Sequence, residues 1–177
     1  INPHFLYNTL DSIIWMAEGR KYEEVVLMTA SLARLLRQSI SNEDEVVPLA
    51  REVEYAKGYL TIQKMRYKDK LEFEIDVEPS ILNIPLIKLV LQPIIENAIY
   101  HGLKYKESKG LLQVKGFMKD GNAVLQVIDN GVGMDEETLS HIYDKHKVNY
   151  HSNGVGVYNV QKRLKLYYGE NYGITYE

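Results

Sequence analysis

The sequence predicts an α+β protein: an N-terminal helical unit, then an α/β sandwich with helices on one face of a mixed sheet. Three observations carry this. Apolar residues recur at helical spacing as far as about residue 67. Leu71-Glu72-Phe73-Glu74-Ile75-Asp76-Val77 then alternates strictly between apolar and acidic residues, as a half-buried strand does. Further on, Asp120-Gly121 separates two more strand-like runs, a hairpin signal. The change of texture near residue 70 divides the chain into expected units of residues 1–67 and 70–177.

The elements follow in order. From Pro3 to Ala17, Leu6, Leu10, Ile13 and Ala17 share one helical stripe. A second helix is expected from Tyr22 to Ile40, with Val25, Met28, Leu32, Leu35 and Leu36 as its apolar face. Ser41-Asn42-Glu43-Asp44 is a polar break. A third helix begins near Pro48, a residue favoured in a first turn, and runs to Tyr67 through Val53, Ala56, Leu60 and Met65. Pro85 to His101 is apolar at helical spacing, and Pro93 inside it is expected to kink that helix or open its hydrogen-bond ladder. Strands are expected at Leu111–Met118 and Ala123–Asp129. Residues 130–154 are rich in Gly, Asn and Lys, with one short helix near Glu136–Tyr143. A last helix, Gly156–Tyr168, is closed by Gly169, and Ile174-Thr175-Tyr176-Glu177 reads as the start of a strand.

Composition bounds the function. Among 177 residues, 45% are hydrophobic and 25% charged, enough for a real core. A formal net charge of -3 gives no broad electrostatic basis for binding nucleic acid or acidic lipid. Cysteine is absent, which excludes disulfides and thiolate metal sites and suits a reducing compartment. No apolar run approaches the roughly 20 residues that cross a bilayer. The sequence opens on Ile rather than Met, with a histidine at position 4, and is read as a fragment.

Three segments of the second unit point to a nucleotide. Asp129-Asn130-Gly131-Val132-Gly133-Met134 leaves a strand on which Leu125, Val127 and Asp129 share a face. A carboxylate at the end of an apolar row needs a hydrogen-bond donor, and Gly131 and Gly133 allow close approach of backbone to a ligand. A plain Asp-Asn-Gly turn explains the same residues equally well. Ser152-Asn153-Gly154-Val155-Gly156 opens the last helix with free backbone N–H groups suited to phosphate, or serves only as a Gly-rich loop. Along Leu91-Gln92-Pro93-Ile94-Ile95-Glu96-Asn97-Ala98-Ile99-Tyr100-His101-Gly102, with Val90 just before it, the residues Val90, Ile94, Asn97 and His101 line one side. The Asn97 amide there either ligates Mg²⁺ or bonds a neighbouring loop.

The order of these segments resembles the Bergerat ATP-binding fold shared by histidine kinases, type II topoisomerases, large heat-shock chaperones and mismatch-repair ATPases. The resemblance covers about residues 70–177. It implies that Asn97 ligates Mg²⁺, that Asp129 reads the adenine amine, and that Gly131 and Gly133 form the adenine-side turn. It also implies that Gly154, Val155 and Gly156 flank the phosphates, that His101 and Lys104 lie at the nucleotide, and that residues 135–153 form a mobile lid.

Ile1-Asn2-Pro3-His4-Phe5-Leu6-Tyr7-Asn8-Thr9-Leu10 is the most specific string in the chain. It resembles the phosphoacceptor box of the LytS/YesM-type sensor histidine kinases. Leu91–Ala98 resembles the nucleotide box of the same family, and Val157-Tyr158-Asn159-Val160-Gln161-Lys162-Arg163-Leu164 its last helix. Helical geometry agrees with an acceptor role. His4, Asn8 and Asp11 fall opposite the Leu6–Leu10–Ile13–Ala17 stripe, which leaves His4 exposed, and a neutral imidazole nitrogen is a competent nucleophile. Asn8, one turn on, either orients a water for dephosphorylation or caps a surface network.

The resemblance implies an ATP-dependent autokinase. Mg²⁺-ATP would charge His4, and the phosphoryl group would pass to an Asp of a response regulator. It further implies a homodimer through the N-terminal helices, no nucleic-acid partner, and the cytoplasmic part of a bacterial inner-membrane sensor whose anchor lies upstream. Some positions depart from the wider pattern. Phe5 stands where many histidine kinases have an acidic residue, leaving Glu96 and Asp11 as candidate bases. Tyr100 replaces a common Lys, for which Lys104 offers the charge. Pro93 stands where hydrolysing relatives carry a water-activating Glu. His141, His146 and His151 read as lid surface rather than a zinc site, and Lys145 and Lys147 as phosphate contacts or solvated charges. The alternatives are a hydrolysing ATPase with mechanical output and a non-catalytic nucleotide switch.

Overall fold

A computed structural model describes residues 3–40, 45–104, 106–135, 139 and 154–177. Helices α1 (Pro3–Glu18) and α2 (Tyr22–Ile40) are joined at Gly19–Lys21, where Arg20 takes φ 56°. Both pack on α3 (Leu49–Tyr67). Gly58 lets α2 approach closely, since a Cβ there would stand 3.3 Å from Leu35 Cδ2.

Two small sheets follow. Strand β1 (Val46–Pro48) pairs antiparallel with β3 (Pro85–Ile87). Strand β2 (Leu71–Val77) lies parallel to β4 (Gly110–Lys119), and β4 lies antiparallel to β5 (Asn122–Asp129), giving the order β2-β4-β5. The mixed sheet expected from the sequence is present. Its turn residues Asp120 and Gly121 have φ 50° and 78°, the pair of positive values that a two-residue hairpin requires.

Register assigns the faces. Phe73, Leu112 and Asp129 line up across the three strands, as do Ile75, Val114 and Val127. That face packs into a core with Phe5, Met28, Leu35, Tyr59, Leu60 and Ile62. The same core takes in Leu91, Ile95 and Ile99. The opposite face carries Glu72, Glu74, Gln113, Lys115 and Gln126, with Gln113 donating to Glu74 at 2.6 Å. Helices thus cover one face only. The core is continuous from α1 to β4, so α3, although N-terminal to residue 67, is packed with the sheet, while Val46 of β1 packs in a second, smaller cluster with Ile87, Val90 and Val160. Helix α4 (Leu91–Asn97) continues as a π-helical turn, Ala98–Leu103, and α5 (Gly154–Tyr168) ends at Gly169, φ 103°.

Several expectations need correction. Residues 85–87 form β3 rather than the start of a helix, because their backbone pairs with β1. The helix begins only at Leu91, so Pro93 sits in its first turn, where its missing N–H costs nothing and no kink results. The buried face of α1 is Phe5, Thr9 and Met16. Leu6 and Ile13 pack at the core's edge, while Leu10 is 48% exposed and Ala17 is exposed. Thr9 is tolerated inside because its hydroxyl donates to the Phe5 carbonyl at 2.7 Å. Residues 174–177 are not a strand; the Ile174 N–H instead donates to Gln161 Oε1 at 2.5 Å. The short helix expected near residues 136–143 and most of the segment read as a lid lie outside the described residues.

Candidate nucleotide site and phosphoacceptor

Helix α4 is the spine of the candidate nucleotide site. Near its start, a Cβ on Gly156 of α5 would stand 3.2 Å from Pro93 Cβ, so the glycine allows the first turn of α5 to meet the first turn of α4. Asn97 is one turn beyond Pro93 on the same side and is half-buried. Beyond Asn97 the helix widens, and the Lys104 N–H donates to the Ile99 carbonyl at 2.9 Å, a five-residue bond. Such π-turns are frequent at functional sites. This one changes the helical phase between Asn97 and His101, and His101 and Lys104 are both exposed.

The far end of the spine meets the Asp129 turn. A Cβ on Gly102 would lie 2.6 Å from Asp129 Oδ1, and one on Gly131 would collide with the Gly102 carbonyl. The Gly131 N–H donates to Asp129 Oδ1 at 2.8 Å, and the Val132 N–H donates to the Gly102 carbonyl at 3.1 Å. Asp129 is exposed, with its carboxylate held by the turn it opens. Asn130 closes the sheet beneath it, its Oδ1 accepting from the Leu111 N–H at 2.8 Å, and Lys106 donates to the Asn130 carbonyl. Gly133 has φ 73°, a left-handed conformation suited to glycine. The structure therefore brings Asn97, Asp129, Gly131 and Gly156 onto one helix and its two flanking turns. Gly154 and Val155 lie in the first turn of α5. The three lid histidines, Lys145 and Lys147 lie outside the described residues.

Glu96 is half-buried, accepts from Gln92 Nε2 at 2.7 Å, and lies within electrostatic reach of Tyr59 on α3. Burial raises its carboxyl above the usual glutamate range, opposed in part by the Gln92 hydrogen bond. Burial also raises the neighbouring Tyr59 hydroxyl, with the Glu96 charge adding to the shift. Tyr59 accepts from Gln63 Nε2 at 2.7 Å.

His4 is exposed on the first turn of α1. Asn8 Nδ2 stands 3.0 Å from its Nε2 and 3.2 Å from its Nδ1, so the amide one turn on engages the ring. Phe5 fixes the turn from below and stacks on Tyr59. Asp11, the other candidate base, is exposed.

Two residues escaped the sequence reading. Gly102 ends the Leu91–Gly102 string, and its lack of a side chain is what admits the Asp129 turn. Glu52 is 7% exposed on α3 and accepts three backbone N–H bonds from residues 89–91. Its place on an otherwise apolar helix face was the available signal.

Comparison with known proteins gives the family. Residues 1–71 match the family described as "Histidine kinase". Residues 83–176 match "Histidine kinase-, DNA gyrase B-, and HSP90-like ATPase". The chain is 34% identical to the sensor histidine kinase YesM of Bacillus subtilis over 98% of this chain and 29% of that protein. It is 33% identical to the sensor protein LytS of Oceanobacillus iheyensis over 97% of this chain and 30% of that one. Against the sensor histidine kinase BtsS of Escherichia coli the figure is 29%, over 99% and 29%. The chain thus spans about three tenths of the length of these relatives. A histidine kinase domain from the blue-light activated kinase of Erythrobacter litoralis shares the fold, with a TM-score of 0.50 and 14% identity over 84% of this chain and 72% of that one. The chain therefore belongs to the histidine kinase-, DNA gyrase B- and HSP90-like ATPases, and within them to the LytS/YesM-type sensor histidine kinases.

Proposed function

We propose that the chain is the core of an autokinase that transfers the γ-phosphoryl group of Mg²⁺-ATP to His4, from which it passes to an Asp of a response regulator. The observation that carries the reading is the pairing of an exposed, Asn8-engaged His4 with a helix, α4, on which Asn97 lies between a glycine contact to α5 and the Asp129 turn. The residues present fit the ligand. Asp129 offers a carboxylate acceptor to an exocyclic amine at the end of an apolar row. Asn97 offers one neutral oxygen, as suits Mg²⁺, which takes few protein ligands and completes its shell with phosphates and water. When bound, Mg²⁺-ATP supplies the phosphoryl group and the charge neutralisation of its transfer.

The protein's own part is positional. Asp129 and the Gly131 turn hold the base, Asn97 orients the metal, and the start of α5 presents backbone N–H groups. A His4 ring nitrogen would attack the γ-phosphorus with its lone pair as the bond to the β–γ bridging oxygen breaks and ADP leaves, with Asn8 fixing the ring's orientation. Glu96 is half-buried and already hydrogen-bonded by Gln92, which favours Asp11 or solvent over Glu96 as the proton acceptor.

The dimer remains part of the proposal. Tyr7, Leu10, Ile14 and Trp15 of α1 are exposed, as are Val26 and Leu27 of α2. A four-helix pairing with a second copy would cover that face. Among the described residues no helix is long and apolar enough to cross a membrane; the membrane-anchored sensor is proposed to lie upstream. The rival reading as a hydrolysing ATPase is disfavoured by Pro93, one turn before Asn97. Incubation with γ-labelled ATP and Mg²⁺ tests the proposal. Acid-labile, base-stable protein-bound label is expected, and release of phosphate with no protein-bound label would favour the ATPase.

A further inference from the structure

The start of α4 is gripped from outside its own segment. Glu52 Oε1 accepts from the Leu89 N–H at 2.7 Å, and Oε2 accepts from Val90 at 2.9 Å and Leu91 at 3.0 Å. A carboxylate satisfies the free N–H groups of a helix start and complements its dipole. Such a cap normally comes from the residue just before the helix, yet Glu52 lies 37 to 39 residues earlier, on α3. The neighbouring backbone is held as well. Arg163 Nη2 on α5 donates to the Lys88 carbonyl at 2.7 Å, and the Lys88 N–H donates to the Glu45 carbonyl at 2.9 Å. Between these anchors Leu89 takes φ 62°, a strained value for a leucine that persists only where the surroundings impose it.

Glu52 and Tyr59 are two turns apart on one face of α3. Tyr59 carries Phe5, the residue after His4, and Glu52 carries the start of the helix that bears Asn97. The other end of the spine is fixed separately, by Gly102 against Asp129. Resting on the nucleotide reading above, we propose that Glu52 is a positioning residue: its clamp on residues 89–91 sets where Asn97 stands, and so governs the metal–phosphate end of the site and not the adenine end.

The test compares Mg²⁺-ATP with adenosine in the absence of metal, by calorimetry on the whole chain. Glu52→Gln keeps the volume but turns an NH₂ toward N–H donors. It should weaken Mg²⁺-ATP about 10- to 100-fold, the usual loss when a group supporting a metal ligand is removed, and leave adenosine affinity unchanged. Glu52→Asp, too short to reach all three donors, should behave likewise. Equal losses for both ligands, or none, would overturn the proposal. A second measurement on the wild type covers variants that fail to fold. Mg²⁺-ATP should slow amide exchange at residues 89–91 and adenosine should not; exchange there that ignores Mg²⁺-ATP would equally overturn it. A wild type that binds adenosine but not Mg²⁺-ATP would remove the metal reading itself, and the role of Glu52 with it.

Discussion

Phe5 stacks on Tyr59 with ring centroids 4.9 Å apart and planes at 29°, so the residue beside the proposed acceptor histidine is anchored in the core that also holds the nucleotide helix. Removing the ring leaves a cavity against Tyr59. Phe5→Ala should therefore destabilise the chain by about 3–5 kcal/mol, read by denaturant unfolding. Phe5→Leu should lose much less. Equal stability of all three would mean that α1 is not docked as described.

Gly131 has no room for a methyl group. Gly131→Ala should force the Asp129 turn away from Gly102, at a cost of about 1–3 kcal/mol in stability, and should lower affinity for adenine nucleotides. Asp129→Asn leaves the turn's space intact but replaces the acceptor, and should weaken adenine binding by about 1–3 kcal/mol with little effect on the melt. Calorimetric titration beside thermal unfolding separates the two. Unchanged nucleotide affinity in the Asn variant would contradict the assignment of Asp129.

Glu96 gives the chain a pH dependence of definite sign. Burial raises its carboxyl in the folded state, so the protonated form is favoured by folding. That contribution is fully present below the usual glutamate range and is lost as pH rises through the raised folded value. Glu96→Gln removes it. The variant should equal the wild type in acid and exceed it in stability at neutral pH, measured by urea unfolding at both. A variant less stable than the wild type at neutral pH would mean that the ionised carboxylate is held favourably.

Much of this was legible in the sequence, and the misses share a cause. The alternation of residues 71–77 and the Asp120-Gly121 turn gave the sheet, because strand period and turn chemistry are local. Asp129 fell on the apolar face as period two requires. Local pattern failed where tertiary contacts decide. Pro85–Ile87 is as apolar as a helix start but pairs with β1. On α1 the Leu6–Leu10 stripe competes with Phe5 and Met16, and packing on α3 settles which side is buried. The partners of Glu52 lie 37 to 39 residues along the chain, beyond the reach of any local pattern. The π-turn that brings Gly102 to Asp129 has no sequence signature of its own.

The most direct measurement of the central claim is protein-bound phosphate in three forms of the chain given γ-labelled ATP and Mg²⁺: wild type, His4→Ala and Asn97→Ala. His4 is exposed on the first turn of α1 and is not among the residues proposed to hold the nucleotide, so its loss should leave ATP affinity unchanged while abolishing label. Asn97→Ala should fail in both binding and transfer. The account predicts acid-labile, base-stable label in the wild type alone. Acid-labile label on the His4→Ala protein would contradict it and place the acceptor on another of the five histidines.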